Sequence, residues 1–316
     1  MKTAPGSGKK VRLIGAPLGF AAGKPGSELG VEAMRLASFH GKNLIDQIRE
    51  LGYDVRDGGD VSIKRPAGAD ETGPEPKYLE ETVISCENIA AAVESSIENG
   101  EIPIILGGDH SIAIGSVSGL ASYFRKQDQQ FGLIWFDAHA DINTPQTTMS
   151  GNIHGMPLAA LLGRGDERLA GIGGFSPKID GRYLAHVGAR DVDGGEKNNI
   201  HSWGLSDQFF TMSDIDKRGM LACVNDAIDI ASAAPGGFAV TFDVDMIDPR
   251  FAPGSGTLVR GGTTYREAHL ALETIAERGG MRSFEIVEVN PMLDQSNITV
   301  ELACELILSA LGKTIL

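Results

Sequence analysis

Three stretches of the chain place carboxylates and imidazoles directly after apolar runs. IPIILGGDHS ends in Asp109 and His110, FGLIWFDAHAD carries Asp137, His139 and Asp141, and FAVTFDVDMIDP carries Asp243, Asp245 and Asp248. Residues two apart on extended chain point to the same side, which predicts that Asp137, His139 and Asp141 converge, and likewise Asp243 and Asp245. Aspartates gathered without cations would repel and raise one another's pKa values. Two divalent cations cancel four carboxylates, and two imidazoles complete the coordination. An oxygen-rich set with two nitrogens suits manganese better than thiolate-preferring metals. Two such ions can hold a bridging hydroxide as nucleophile. A lone aspartate after a strand is ordinarily a turn or cap residue. That reading does not account for D-x-H-x-D and D-x-D-x-x-D-P, both behind strands and preceded by G-G-D-H.

Positioning these groups requires a scaffold, and the chain alternates β-type apolar runs with helical periodicity. Strands are predicted at Val11–Gly15, Ile102–Leu106, Phe131–Phe136, Tyr183–Val187, Phe209–Met212, Phe238–Phe242 and Ser283–Val289, with a weaker one near Tyr53–Val55. They are short and mostly without polar alternation, as strands buried on both faces are. Helices are predicted at about Tyr78–Asn99, Asn43–Leu51, Ser111–Phe124, Met220–Ala233, Thr264–Glu277 and Asn297–Ala310. Ile63–Lys77, rich in Pro and Gly, reads as a surface loop. Without a repeat or dividing linker, residues 1–316 read as one α/β domain around a parallel sheet of about eight strands. The three acidic segments then sit at carboxyl ends of strands, where open α/β sheets bind ligands.

Composition narrows the function further. The net charge of −14 over 316 residues argues against a nucleic-acid partner, which needs clustered Lys and Arg. No apolar run reaches the roughly 18 residues of a membrane span, and the polar start lacks a signal-peptide core, so a cytoplasmic location is expected. Cys86, Cys223 and Cys304 lie far apart in helix-like patterns and read as reduced core residues. Gly6–Lys9 (GSGK) precedes the first strand instead of following one, so it is not a phosphate loop.

GGDHSIAIG (107–115), DAHADINTP (137–145), SGNIHGMP (150–157), DVDMIDPRFAPGSGT (243–257) and EVNP (288–291) resemble, in order and separation, the signatures of the arginase/agmatinase ureohydrolase family. Weaker similarity covers nearly the whole chain. The resemblance implies a three-layer α/β/α sandwich and two manganese(II) ions per chain. It implies that one ion is held by His110, Asp137, Asp141 and Asp243, and the other by His139, Asp137, Asp243 and Asp245. A metal-bridging hydroxide, oriented by Asp141, would attack a guanidinium carbon. His154 matches the family's proton shuttle, and Glu288 the acid that pairs with the guanidinium. A homo-oligomer, trimeric or hexameric, is implied as well.

Arginine and agmatine differ by the α-carboxylate. The loop Ala140–Gly163 contains no Lys or Arg but offers neutral donors at Asn143, Thr144, Ser150 and Asn152. The N-T-P and S-G-N stretches resemble the arginase side of the family, where Asn and Ser bind the carboxylate. Asp193 and Glu196 in RDVDGGEK match acids that hold the α-ammonium, and Thr257 matches a substrate-proximal threonine. The expected reaction is hydrolysis of L-arginine to L-ornithine and urea. Another ureohydrolase activity, on agmatine or a guanidino acid, is the alternative, and an inactive metal-binding scaffold a more distant one. Metal content together with urea release separates the three.

Overall fold

A computed structural model describes residues 4–39, 41–69 and 76–315. Its centre is a parallel sheet of eight strands: β1 (Lys10–Ala16), β2 (Asp54–Asp60), β3 (Glu101–Gly107), β4 (Gly132–Phe136), β5 (Leu184–Val187), β6 (Phe209–Phe210), β7 (Phe238–Asp243) and β8 (Met281–Val287). They lie in the order β2-β1-β3-β8-β7-β4-β5-β6. Each strand expected from sequence is present. A small antiparallel pair, Ser38–Phe39 with Lys42–Asn43, is additional.

Strand side chains alternate between two cores, one on each face, because successive residues of a strand point oppositely. Val11, Leu13, Ile104, Leu106, Ile134, Phe136, Val240 and Phe242 enter one core. Ile14, Ile105, Leu133, Trp135 and Ala239 enter the other. Helices Gly30–Leu36, Leu44–Glu50, Met220–Ser232, Tyr265–Arg278 and Ile298–Ala310 cover the first core, while Leu79–Glu98, Ile112–Arg125 and Pro157–Leu161 cover the second. Burial on both sides explains the unbroken apolar runs, and the layering is the α/β/α sandwich expected.

Two local differences from the sequence reading follow from capping. The strand drawn to Met212 stops at Phe210, because Thr211 caps the helix Met212–Arg218 in a capping box with Asp214. The helix Gly194–Ser202, unseen in the sequence, also starts on a capping box and carries little apolar periodicity. Part of the loop expected over Ile63–Lys77 (70–75) lies outside the described residues, as does His40; 63–69 is free of helix and strand. Cys86, Cys223 and Cys304 are buried free thiols. Among the described residues, no helix is long and apolar enough to cross a membrane.

Candidate metal centre and substrate pocket

The four central strands β3, β8, β7 and β4 are neighbours, so the residues following them share one edge of the sheet. Gly107 and Gly108 carry β3 into that edge through a space that admits no side chain. A Cβ on Gly108 would lie 1.7 Å from the Leu18 carbonyl oxygen, and one on Gly107 2.8 Å from that of Ile286. Gly108 also accepts the Glu288 backbone N–H at 2.8 Å, tying the ends of β3 and β8 together.

The acidic segments turn instead of running on extended. Asp109 Oδ1 accepts from Ser111 N, Asp137 Oδ1 from His139 N at 2.7 Å, and Asp243 Oδ1 from Asp245 N at 2.8 Å. Each is an aspartate closing a turn on the N–H two residues on. Asp141 has φ +51° and Glu288 φ +61°, a left-handed backbone that costs about 1–3 kcal/mol outside glycine and persists where the surroundings enforce it. The expected convergence of Asp137, His139 and Asp141 therefore arises from turns, and it splits. Asp141 joins His110, whereas His139 joins Asp245.

His110 Nδ1 stands 3.0 Å from Asp137 Oδ2, 3.1 Å from Asp141 Oδ2 and 3.3 Å from Asp243 Oδ2. His139 Nδ1 lies 3.1 Å from Asp245 Oδ2 and 3.5 Å from Asp137 Oδ1. Ligand atoms of His110, Asp137 and Asp141 fall within 4.8 Å of one another, and so do those of Asp137, His139 and Asp245. Asp137 thus belongs to both groups. Trp135 steadies this arrangement by stacking on His110 at 4.1 Å and donating to Asp137 Oδ2 at 3.0 Å.

The protonation equilibria are those of a dense acidic cluster. Burial, with Asp137 next to it, pushes Asp141 up to about 7. Burial, Asp245 and Asp137 push Asp243 well above the usual range. Asp137 goes the other way: burial opposes, but His110 and His139 hold it well below its ordinary value. Both imidazoles rise well above theirs, against burial, through the carboxylates around them. The donor set fits divalent cations. His110 Nδ1 is buried without a hydrogen-bond partner, aimed among three carboxylates.

Beside this cluster, His154 Nδ1 sits 3.0 Å from Glu288 Oε1, the oxygen that also accepts the His110 backbone N–H at 3.1 Å. Burial alone would lower His154. Pairing with Glu288, helped by Asp141 and Asp109, raises it to about 9. Thr257 Oγ1 donates to Asp245 Oδ2 at 2.9 Å, so it touches the cluster directly.

The residues expected at the amino-acid end fall into two hydrogen-bonded sets, Asn143 with Asp193 and Glu196, and Ser150 with Asn152. Asn143 Nδ2 donates to Asp193 Oδ2 at 2.8 Å. Asp193 and Glu196 are the capping box of Gly194–Ser202: Asp193 Oδ1 accepts from Glu196 N at 2.9 Å and Glu196 Oε2 from Asp193 N at 3.0 Å. Glu196 Oε1 accepts from Ile142 N at 3.4 Å, and burial raises this carboxyl to about 7. Glu196 therefore braces the loop, while Asp193 stays partly exposed. Ser150 is exposed and accepts from Asn152 N at 3.2 Å.

Sequence reasoning missed two contributors. Lys77 reaches the S-G-N turn from outside it, with Nζ 3.1 Å from Asn152 Oδ1 and its backbone N–H on Gly151 O at 2.9 Å. The loop Ala140–Gly163 has no Lys or Arg, yet a lysine is delivered across 75 positions of sequence, with no local signal. Arg190 donates to the carbonyls of Asp245 (2.7 Å), Met246 (3.0 Å) and Val259 (2.7 Å), clamping the turn that carries Asp245. Its place in R-D-V-D was the available hint.

The Arginase family model matches residues 9–312. The chain is 40% identical to an arginase of Bacillus caldovelox over 309 residues, covering 98% of this chain and 100% of the relative. It is 41% identical to an arginase of Bacillus subtilis, covering 98% and 99%. The solved structure of the Bacillus caldovelox arginase superposes with a TM-score of 0.88 at 39% identity, covering 98% of this chain and all of that one.

Proposed function

The chain belongs to the arginase family, and from that premise we propose that it hydrolyses L-arginine to L-ornithine and urea with two manganese ions held in one site. The observation that carries this reading is the pair of His/Asp groups sharing Asp137 at the centre of a parallel sheet edge. His110, Asp137, Asp141 and Asp243 would hold one ion, and His139, Asp137, Asp243 and Asp245 the other. Divalent ions, when bound, make water a nucleophile at neutral pH and polarise the group it attacks.

The remaining residues position substrate and protons. Glu288 is the acid for the guanidinium, and its hydrogen bond to His154 links that acid to a group able to exchange protons with solvent. His154, partly exposed, delivers the proton that the leaving amine needs. Asp141 orients the attacking oxygen, and Thr257 supports Asp245 from the substrate side. Asn143, Ser150 and Asn152 bind the α-carboxylate, with the Lys77 ammonium completing the charge match that their neutral side chains leave open. Asp193 holds the α-ammonium, and Glu196 keeps Asp193 and the Ile142 backbone in place. Residues 1–316 act as one domain, in a cytoplasmic homo-oligomer of three or six chains.

The test is urea release from a panel of guanidino compounds with manganese supplied. L-Arginine as the preferred substrate supports the reading. Preference for agmatine or a guanidino acid would move the chain elsewhere in the family, and no urea from any substrate would contradict hydrolysis.

A further inference from the structure

Behind the metal centre lies a buried polar chain that the reaction itself does not use. His110 Nε2 is 2.8 Å from Thr241 Oγ1 on β7. Thr241 is the cross-strand pair of Glu285 on β8. Glu285 is buried between the sheet and the helix Ile112–Arg125, and Ser116 of that helix hydrogen-bonds its Oε2. Its Oε1 is buried with no hydrogen bond of normal geometry, the Thr241 hydroxyl being within reach. An acid in an apolar layer is costly unless something requires it.

We propose that Glu285 is a positioning residue that acts through Thr241 to fix His110 in the tautomer able to bind metal. This rests on the metal reading above. A metal on His110 Nδ1 requires that Nε2 carry the ring proton. Nε2–H then donates to Thr241 Oγ1, which frees the threonine hydrogen to donate onward, and Glu285 Oε1 is the acceptor left without a partner. The chain has one consistent direction, from imidazole to hydroxyl to carboxylate. It raises the basicity of Nδ1 as a directly bonded carboxylate does for metal-binding histidines. Burial raises the Glu285 carboxyl, and Ser116, His110 and Thr241 oppose that rise without cancelling it.

The experiment is manganese titration of the metal-free protein, following free Mn²⁺ by electron paramagnetic resonance, alongside melting of the same metal-free samples. Thr241→Val keeps the shape and removes the relay, and should weaken the His110 site by about 10–100-fold. Thr241→Ser restores the hydroxyl and should bind near wild type. Glu285→Gln should weaken the same site, because the amide can donate to Thr241 and reverse the chain. Wild-type affinity at both sites in Thr241→Val and Glu285→Gln would overturn the proposal. So would equal losses in Thr241→Val and Thr241→Ser, which would indicate packing alone. If Thr241→Val does not fold, Thr241→Ser and Glu285→Gln still decide. Wild-type protein that takes up no manganese would overturn the metal reading and this inference with it, whereas two ions bound with wild-type affinity in every variant would overturn only the relay.

Discussion

Glu288 Oε1 accepts the His110 backbone N–H at 3.1 Å and lies 3.0 Å from His154 Nδ1. One carboxylate oxygen thus joins a candidate metal ligand to the candidate proton shuttle. Glu288→Gln removes the strongest partner raising His154, so its pKa should fall from about 9 toward its ordinary value, 6.5. An NMR pH titration of the His154 ring checks this, and an unmoved midpoint would contradict the coupling.

His154→Ala should lower turnover by on the order of 100-fold or more while leaving metal content unchanged, as for an acid–base group that does not hold metal. Added imidazole should restore part of the rate. Loss of metal in this variant would reassign His154 as a ligand.

Asp137 contributes to both His/Asp groups, whereas His110 contributes to one. Asp137→Ala should empty the whole centre, and no excess of manganese should rescue it. His110→Ala should weaken mainly one site and regain partial activity at high manganese. Elemental analysis and activity across a manganese series measure both, and identical, unrescuable losses would refute the shared-ligand arrangement.

Lys77→Met should raise KM for L-arginine while barely changing the residual agmatine rate, since agmatine has no carboxylate. Asn143→Ala and Ser150→Ala should behave alike. For the wild type, kcat/KM should favour arginine by on the order of 1,000-fold, because a site built for a polar group leaves its own groups unpaired when that group is missing. Equal damage to both substrates would remove these residues from carboxylate recognition. Asp193→Asn separates its two roles: asparagine still caps the helix, so melting should hold while arginine affinity drops.

His186 is fully buried on β5 and stacked on Phe209 at 4.6 Å, with neither ring nitrogen making a hydrogen bond of normal geometry. Burial lowers it from 6.5 to about 4. The unfolded chain takes up this proton first, so stability is lost as pH falls from 6.5 toward 4. At 1.36 kcal/mol per pH unit the loss reaches about 3 kcal/mol. His186→Phe should remove that slope, as read by denaturant unfolding at pH 7 and pH 4.5. An unchanged pH dependence would show that His186 is protonated as readily folded as unfolded.

The sequence by itself determined the strands of the sheet, the longer helices and the chemistry they carry. Short, mostly apolar runs such as IPIIL and FAVTF read as strands covered on both faces, and the aspartates and histidines behind them are legible as a cation-binding set from residue type. Some details lay beyond local pattern. The strand ends at Phe210 because the capping box of Thr211 with Asp214 starts a helix at Met212. Asp193 and Glu196 looked alike as acids, and only their hydrogen bonds assign Glu196 to bracing and leave Asp193 partly exposed. The tertiary structure alone decided which strand ends become neighbours. Because β8, the last strand in sequence, inserts between β3 and β7, Glu288 arrives beside His110 and His154. Lys77 reaches Asn152 the same way, by chain-crossing contacts that no periodicity encodes. Side-chain period and residue chemistry are properties of short segments, whereas strand order follows from how the whole chain buries both faces of one sheet.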